Sequence, residues 1–179
     1  MTQYFSSSRV IVLVMKALEH LKRGDRVALA APARAVSPEE MAPAIAMLES
    51  WGLQVIVPDG LYKQQGQLAG SDSHRAALLQ QLLDDPEIKA IFCCRGGYGT
   101  IRIVDMLDFT RMTQHPKWVV GYSDITVLHS HLNRLLGLPT LHATMPINMH
   151  GEETPATHTM HDVLFGVQGD HISYEWEPS

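Results

Sequence analysis

A serine stands between a glycine and an acidic residue in Gly121-Tyr122-Ser123-Asp124-Ile125-Thr126, directly after the apolar pair Val119-Val120. An apolar strand that turns sharply into a helix lifts a serine hydroxyl above a sheet edge and aims the first helical N–H groups at what it attacks. Gly121 permits the tight turn, and Asp124 falls in the first helical turn, where negative charge complements the helix dipole. The same residues also read as an ordinary helix N-cap, because Ser and Asp are favoured there for their side-chain oxygens.

A second segment with chemical potential is Arg95-Gly96-Gly97-Tyr98-Gly99, which follows the apolar run Ile91-Phe92-Cys93-Cys94. Clustered glycines expose several backbone N–H groups that suit a phosphate, a carboxylate or an oxyanion. No Gly-Lys-Ser or Gly-Lys-Thr follows, and the glycine spacing fails G-x-G-x-x-G, which argues against a nucleotide site. Positive φ at a plain turn explains the glycines but not Arg95 and Tyr98 among them. The ten histidines contain no His-Glu-x-x-His pattern and no Cys/His ligand set, so neither a metal nor any other cofactor is expected.

These segments need a scaffold, and the pattern around them is β-α repetition. Arg26 to Pro32 reads as a short buried strand. Ser37-Pro38-Glu39-Glu40 opens a helix through Met41, Ile45, Leu48 and Trp51 that Gly52 ends. A strand over Leu53–Pro58 leads to a polar loop from Asp59 to Gly70, a candidate lid or rim. Ser71 then starts a helix running through Leu83, followed by a strand over Ile88–Cys94. A helix over Gly99–Leu107, a strand over Trp118–Gly121, a helix over Asp124–Leu136 and a short strand over Pro139–His142 complete the series. A short helix near Ala156 to Phe165 and a strand at His171 to Trp176 are expected beyond. The expectation is an α/β, three-layer, parallel-sheet domain of Rossmann or flavodoxin type with a nucleophile-elbow serine, its unusual segments gathered at the carboxyl ends of the strands.

The chain has 179 residues, is 45% hydrophobic and carries a net charge of −5. That suits one globular domain and argues against a nucleic-acid partner, which needs clustered Lys and Arg. The apolar run Val10 to Met15 is too short to cross a bilayer and charges follow it, so no membrane association and a cytoplasmic location are expected. Cys93 and Cys94, adjacent, read as small buried hydrophobes in a reducing compartment. Three stretches are expected: a leader of unclear role over 1–23, the nucleophile-bearing domain over 24–149, and the start of a linker over 150–179.

Taken in order, Leu21-Lys22-Arg23-Gly24-Asp25 with Ala30-Ala31-Pro32, Leu68-Ala69-Gly70-Ser71-Asp72, Ala90 through Gly99, and Gly121 through Thr126 resemble the LD-carboxypeptidase family of serine peptidases, N-terminal domain. The resemblance implies a hydrolase that releases a terminal D-amino acid, typically D-alanine, from a murein-derived tetrapeptide through an acyl-enzyme. It implies Ser123 as nucleophile and the amides of Asp124 and Gly97 as oxyanion hole. Arg95 is a candidate partner for a substrate carboxylate, because guanidinium and carboxylate match geometrically; a bridge to an Asp or Glu is its other reading. Tyr98 stands beside it as a candidate substrate contact.

The resemblance carries two departures. Ala143-Thr144 stands where the family often has Gly-Pro, and family members are longer, with a C-terminal domain that supplies a Glu and a His to a triad. This polypeptide alone is therefore expected to be nearly inactive, since a serine without its base is a poor nucleophile. His142 is the in-chain base closest to consideration. An apolar face left for the second domain makes a homodimer an expected partner. Two other functions share these residues: a microcin-immunity-type serine peptidase and a non-catalytic peptide-binding module.

Overall fold

A computed structural model of the chain describes residues 18–167. The expected strand at His171 to Trp176 and most of the leader lie outside the described residues. Five parallel strands form one sheet: β1 (Arg26–Ala30), β2 (Gln54–Ile56), β3 (Ile88–Cys93), β4 (Trp118–Gly121) and β5 (Leu141–His142), in the order β2-β1-β3-β4-β5. The helices are α1 (Pro38–Ser50), α2 (Asp72–Asp84), α3 (Thr110–Gln114), α4 (Thr126–Leu136) and α5 (Pro155–Phe165).

Alternation along the strands separates two cores. Val27, Leu29, Ala90, Phe92 and Val120 face α1 and α5, packing on Met41, Leu48, Met160 and Leu164. Ala28, Ala30, Ile91, Cys93 and Val119 face the other way, onto Leu79 and Leu83 of α2, Met112 of α3 and Leu128 and Leu132 of α4. The result is the expected three-layer α/β arrangement. Cys93 and Cys94 are fully buried and unpaired.

Local rules account for the helix ends. Ser37 and Glu40 form a reciprocal capping box on α1, with Pro38 in its first turn and Gly52, at φ +86°, just past its end. Ser71 accepts from the His74 N–H at the start of α2. Gly137 ends α4 in the left-handed region.

The expected helix over Gly99–Leu107 does not form. Two 3₁₀ turns stand there, Thr100–Arg102 and Val104–Met106, with extended Leu107 after them. Gly99, at φ +136°, sets the entry to the first turn, and the second closes on its own i+3 bonds before a helix can propagate. The helix expected from Asp124 also opens as a 3₁₀ turn, Ser123–Ile125, and becomes α-helical at Thr126. β2 and β5 are shorter than the apolar runs that announced them.

Candidate active site

Strand order reverses between the parallel neighbours β1 and β3: the connection from β1 leads to β2 on one side of the sheet, and that from β3 leads to β4 and β5 on the other. The crevice beyond their carboxyl ends is where sheets of this type hold ligands. Three segments meet beside it: Ala31 to Arg34 after β1, Cys94 to Gly99 after β3, and Tyr122 to Asp124 after β4.

Ser123 is exposed and has φ +61°; it alone among the described non-glycine residues has a positive φ. An L-residue held there costs about 1–2 kcal/mol, so its neighbours must enforce the conformation. A Cβ on Gly121 would sit 3.0 Å from the Ile125 side chain and 3.2 Å from Cys93 Cβ, so only glycine lets β4 turn this tightly against β3. The Gly121 carbonyl is held from two sides, by His129 Nε2–H at 2.9 Å and by the Ala143 N–H at 3.3 Å. Because Nε2 faces a carbonyl it carries a proton, and burial pushes the His129 pKa down, which favours the neutral ring.

Gly96 provides room beside the serine. A Cβ there would lie 3.0 Å from Ser123 Cβ and 3.2 Å from its Oγ. The next residue, Gly97, has φ +107°, and a Cβ on it would meet the Arg34 side chain at 2.6 Å. The Gly97 N–H donates to no protein acceptor among the described residues.

The Asp124 carboxylate does more than face a helix dipole. Its Oδ2 accepts from the Thr100 N–H at 2.9 Å and so ties the elbow to the turn that follows the glycines. Arg95 forms an ion pair with Glu40 at 3.3 Å, both partly exposed, and Tyr98 is 55% exposed on the rim. The His142 ring lies tilted 6.0 Å from that of Tyr122 and 6.2 Å from that of His129 and forms no hydrogen bond to Ser123. His131 turns back to the Val127 carbonyl at 2.9 Å. Among the described residues the Ser123 hydroxyl has no hydrogen-bonded base. The nearby Cys93 thiol is no rival nucleophile, since burial pushes its pKa up to about 12.

Three residues important to this geometry escaped the sequence reading. Arg75, buried at 2% exposure, donates to the Pro32 carbonyl, to the Gly99 carbonyl at 2.9 Å and to Asp72, joining the loops after β1 and β3. Its position four residues before Leu79 on the apolar face of α2 was the available signal. Arg34 and Gln67, joined at 2.6 Å, carried no pattern at all. The loop from Asp59 to Gly70 is pinned as a rim by Ala35 N–H to Gln67 O at 3.0 Å, Ala69 N–H to Ala33 O at 3.1 Å and His74 Nε2 to Gly60 O at 3.0 Å.

Comparison with known proteins identifies the family and the fold. The family model described as LD-carboxypeptidase N-terminal domain matches residues 27–143. The chain is 43% identical over 125 residues to a probable murein peptide carboxypeptidase of Bacillus subtilis, covering 70% of this chain and 39% of that protein. Among solved structures, a muramoyltetrapeptide carboxypeptidase from Oxalobacter formigenes superposes with a TM-score of 0.69 at 26% identity, over 77% of this chain and 47% of that one. An MccF-like protein from Bacillus anthracis gives 0.74 at 27% identity, over 82% and 46%. The chain thus spans less than half the length of these relatives. By the match over residues 27–143 and the identity to the Bacillus subtilis protein, the chain belongs to the LD-carboxypeptidase family.

Proposed function

We propose that Ser123 is the nucleophile of a serine carboxypeptidase that removes a terminal D-amino acid, D-alanine, from a murein-derived tetrapeptide. The observation that carries this reading is the strained, exposed Ser123 at the end of β4, with Gly96 bare beside it. A non-catalytic turn has no use for a left-handed serine where glycine would fit at lower cost.

In the proposed reaction Ser123 Oγ bonds to the carbonyl carbon of the scissile peptide while its proton passes to a general base. The oxyanion that forms is met by the N–H groups of Asp124 and Gly97. The C–N bond then breaks, the leaving amine takes the proton, and an acyl ester remains on Ser123. Water, deprotonated by the same base, attacks that ester; the acyl C–Oγ bond breaks, the base returns the proton to Ser123 Oγ, and the shortened peptide leaves with a new carboxyl group that ionises in water. Arg95 and Tyr98 border the side on which the substrate lies. No base is bonded to Ser123 among the described residues, so this reading assigns that role to a group outside them, and the described residues by themselves supply only the nucleophile and the oxyanion donors.

The similarity to an MccF-like protein supports a second reading, in which the same serine elbow serves a microcin-immunity-type peptidase. Release of D-alanine from murein tetrapeptide decides between them. We expect a slow release by the 179-residue chain that requires Ser123, at a rate lower by about 10³-fold or more than that of the full-length Bacillus subtilis relative. Equal release by the S123A variant would refute the nucleophile; cleavage only of an acyl-sulfamoyl nucleoside would favour the second reading.

A further inference from the structure

The crevice between β1 and β3 opens beside the glycine turn as a cleft of about 370 Å³, lined by Arg34, Ala35, Gln64, Gly66, Gln67 and Arg95. Two guanidinium groups in one cleft suggest an anion, but they are not equivalent. Arg95 has its charge balanced by Glu40 at 3.3 Å, and Glu40 is fixed in turn by accepting from the Ser37 N–H at 2.9 Å. Arg34 is held by the neutral amide oxygen of Gln67 at 2.6 Å and forms no ion pair among the described residues. Gln67 orients the guanidinium without neutralising it, which leaves the cleft with one uncompensated positive charge.

Placement supports the same assignment. Gly96 touches Ser123, and Gly97, the next residue, lies under the stem of Arg34. Adjacent Cα atoms are about 3.8 Å apart, which is also the step from the residue bearing a scissile carbonyl to the residue it releases. Arg34 thus borders the glycine next to the one against Ser123, within reach of the residue that follows a carbonyl held at Ser123.

We propose that Arg34 is the specificity-determining residue that receives the free C-terminal carboxylate of the released residue, with Arg95 and Glu40 as a neutral wall. This rests on the reading of Ser123 as nucleophile. Planar guanidinium and carboxylate pair through two parallel N–H to O bonds, a match that an amide cannot reproduce.

The test is a titration of the 179-residue chain, followed by NMR, with acetyl-L-lysyl-D-alanine and with its C-terminal amide. The acid is expected to bind about tenfold more tightly, in keeping with one charge-assisted hydrogen-bonded pair. R34Q is expected to reduce that ratio to about twofold or less, whereas the E40Q/R95Q double variant, which leaves the net charge of the wall unchanged, retains most of it. An acid bound no more tightly than the amide overturns the proposal, as does an R34Q variant that keeps the full ratio. A serine-directed phosphonate separates the two ideas. Modification of Ser123 without discrimination between acid and amide removes the subsite and leaves the nucleophile. Discrimination without modification keeps an anion cleft and removes the nucleophile.

Discussion

Replacing Arg75 by methionine separates the scaffold's contribution from the chemistry. The aliphatic stem is kept, so the cavity term is small, but the Pro32 and Gly99 carbonyls lose their donor and Asp72 loses one of its two arginine partners. A hydrogen bond from a charged group contributes about 1.5–3 kcal/mol, so two buried carbonyls amount to about 3–6 kcal/mol. With a urea m-value of about 2 kcal/mol/M, the unfolding midpoint should fall by roughly 1.5–3 M. Equilibrium urea unfolding, followed by circular dichroism on both proteins, measures this directly. The loops after β1 and β3 should also lose their common anchor, so exchange of the Ala69 and Arg102 amides, which donate to the Ala33 and Gly99 carbonyls, should quicken more than in α4. A midpoint shift below about 0.5 M, or exchange that quickens uniformly, would refute the claim that Arg75 holds these loops together.

Two further substitutions test the elbow and a buried charge. S123G should raise stability by about 1 kcal/mol, because glycine accepts φ +61° without the Cβ penalty and gives back only part of the gain through unfolded-state entropy; a destabilised variant in urea unfolding would contradict it. Lys117 donates to the Leu82 and Leu83 carbonyls at 3.0 Å and to the Asp85 carbonyl at 2.5 Å, and burial lowers its pKa to about 8 from 10.5. Between those values the unfolded chain holds a proton that the native lysine has released, so this group makes stability rise with pH across that window. The slope is at most about 1.4 kcal/mol per pH unit, and K117M, though less stable overall, should lose it. An unchanged slope in K117M would assign the pH dependence to another group.

The scaffold was largely legible because its signals are local. The capping pattern at Ser37 to Glu40, the Ser71 cap and the strand-length apolar runs each specify an element without help from distant residues. The misread helix after Gly99 shows the limit. Its apolar spacing is helical, but the chain closes into two successive 3₁₀ turns after Gly99, whose φ of +136° and Thr100 N–H bond to Asp124 are set by packing against another strand-end segment that is invisible along the chain. The site divided in the same way. Ser123 and the glycines are marked by backbone demands written in residue type. Arg34 matters only because folding brings Gly97 beneath it and Gln67 beside it, residues 63 and 33 positions away in a chain that gives no periodic hint of either contact.

The most direct test of the central claim is to incubate the 179-residue chain with a peptidyl phosphonate ester in large excess and locate the adduct by tandem mass spectrometry. Backbone donors and binding alone retain about 10³–10⁴-fold catalysis over water when a triad is incomplete, so a slow but selective adduct is expected on Ser123, with none on S123A. An adduct distributed over other exposed serines, or none on Ser123 while the protein remains folded, would contradict the assignment of Ser123 as a presented nucleophile.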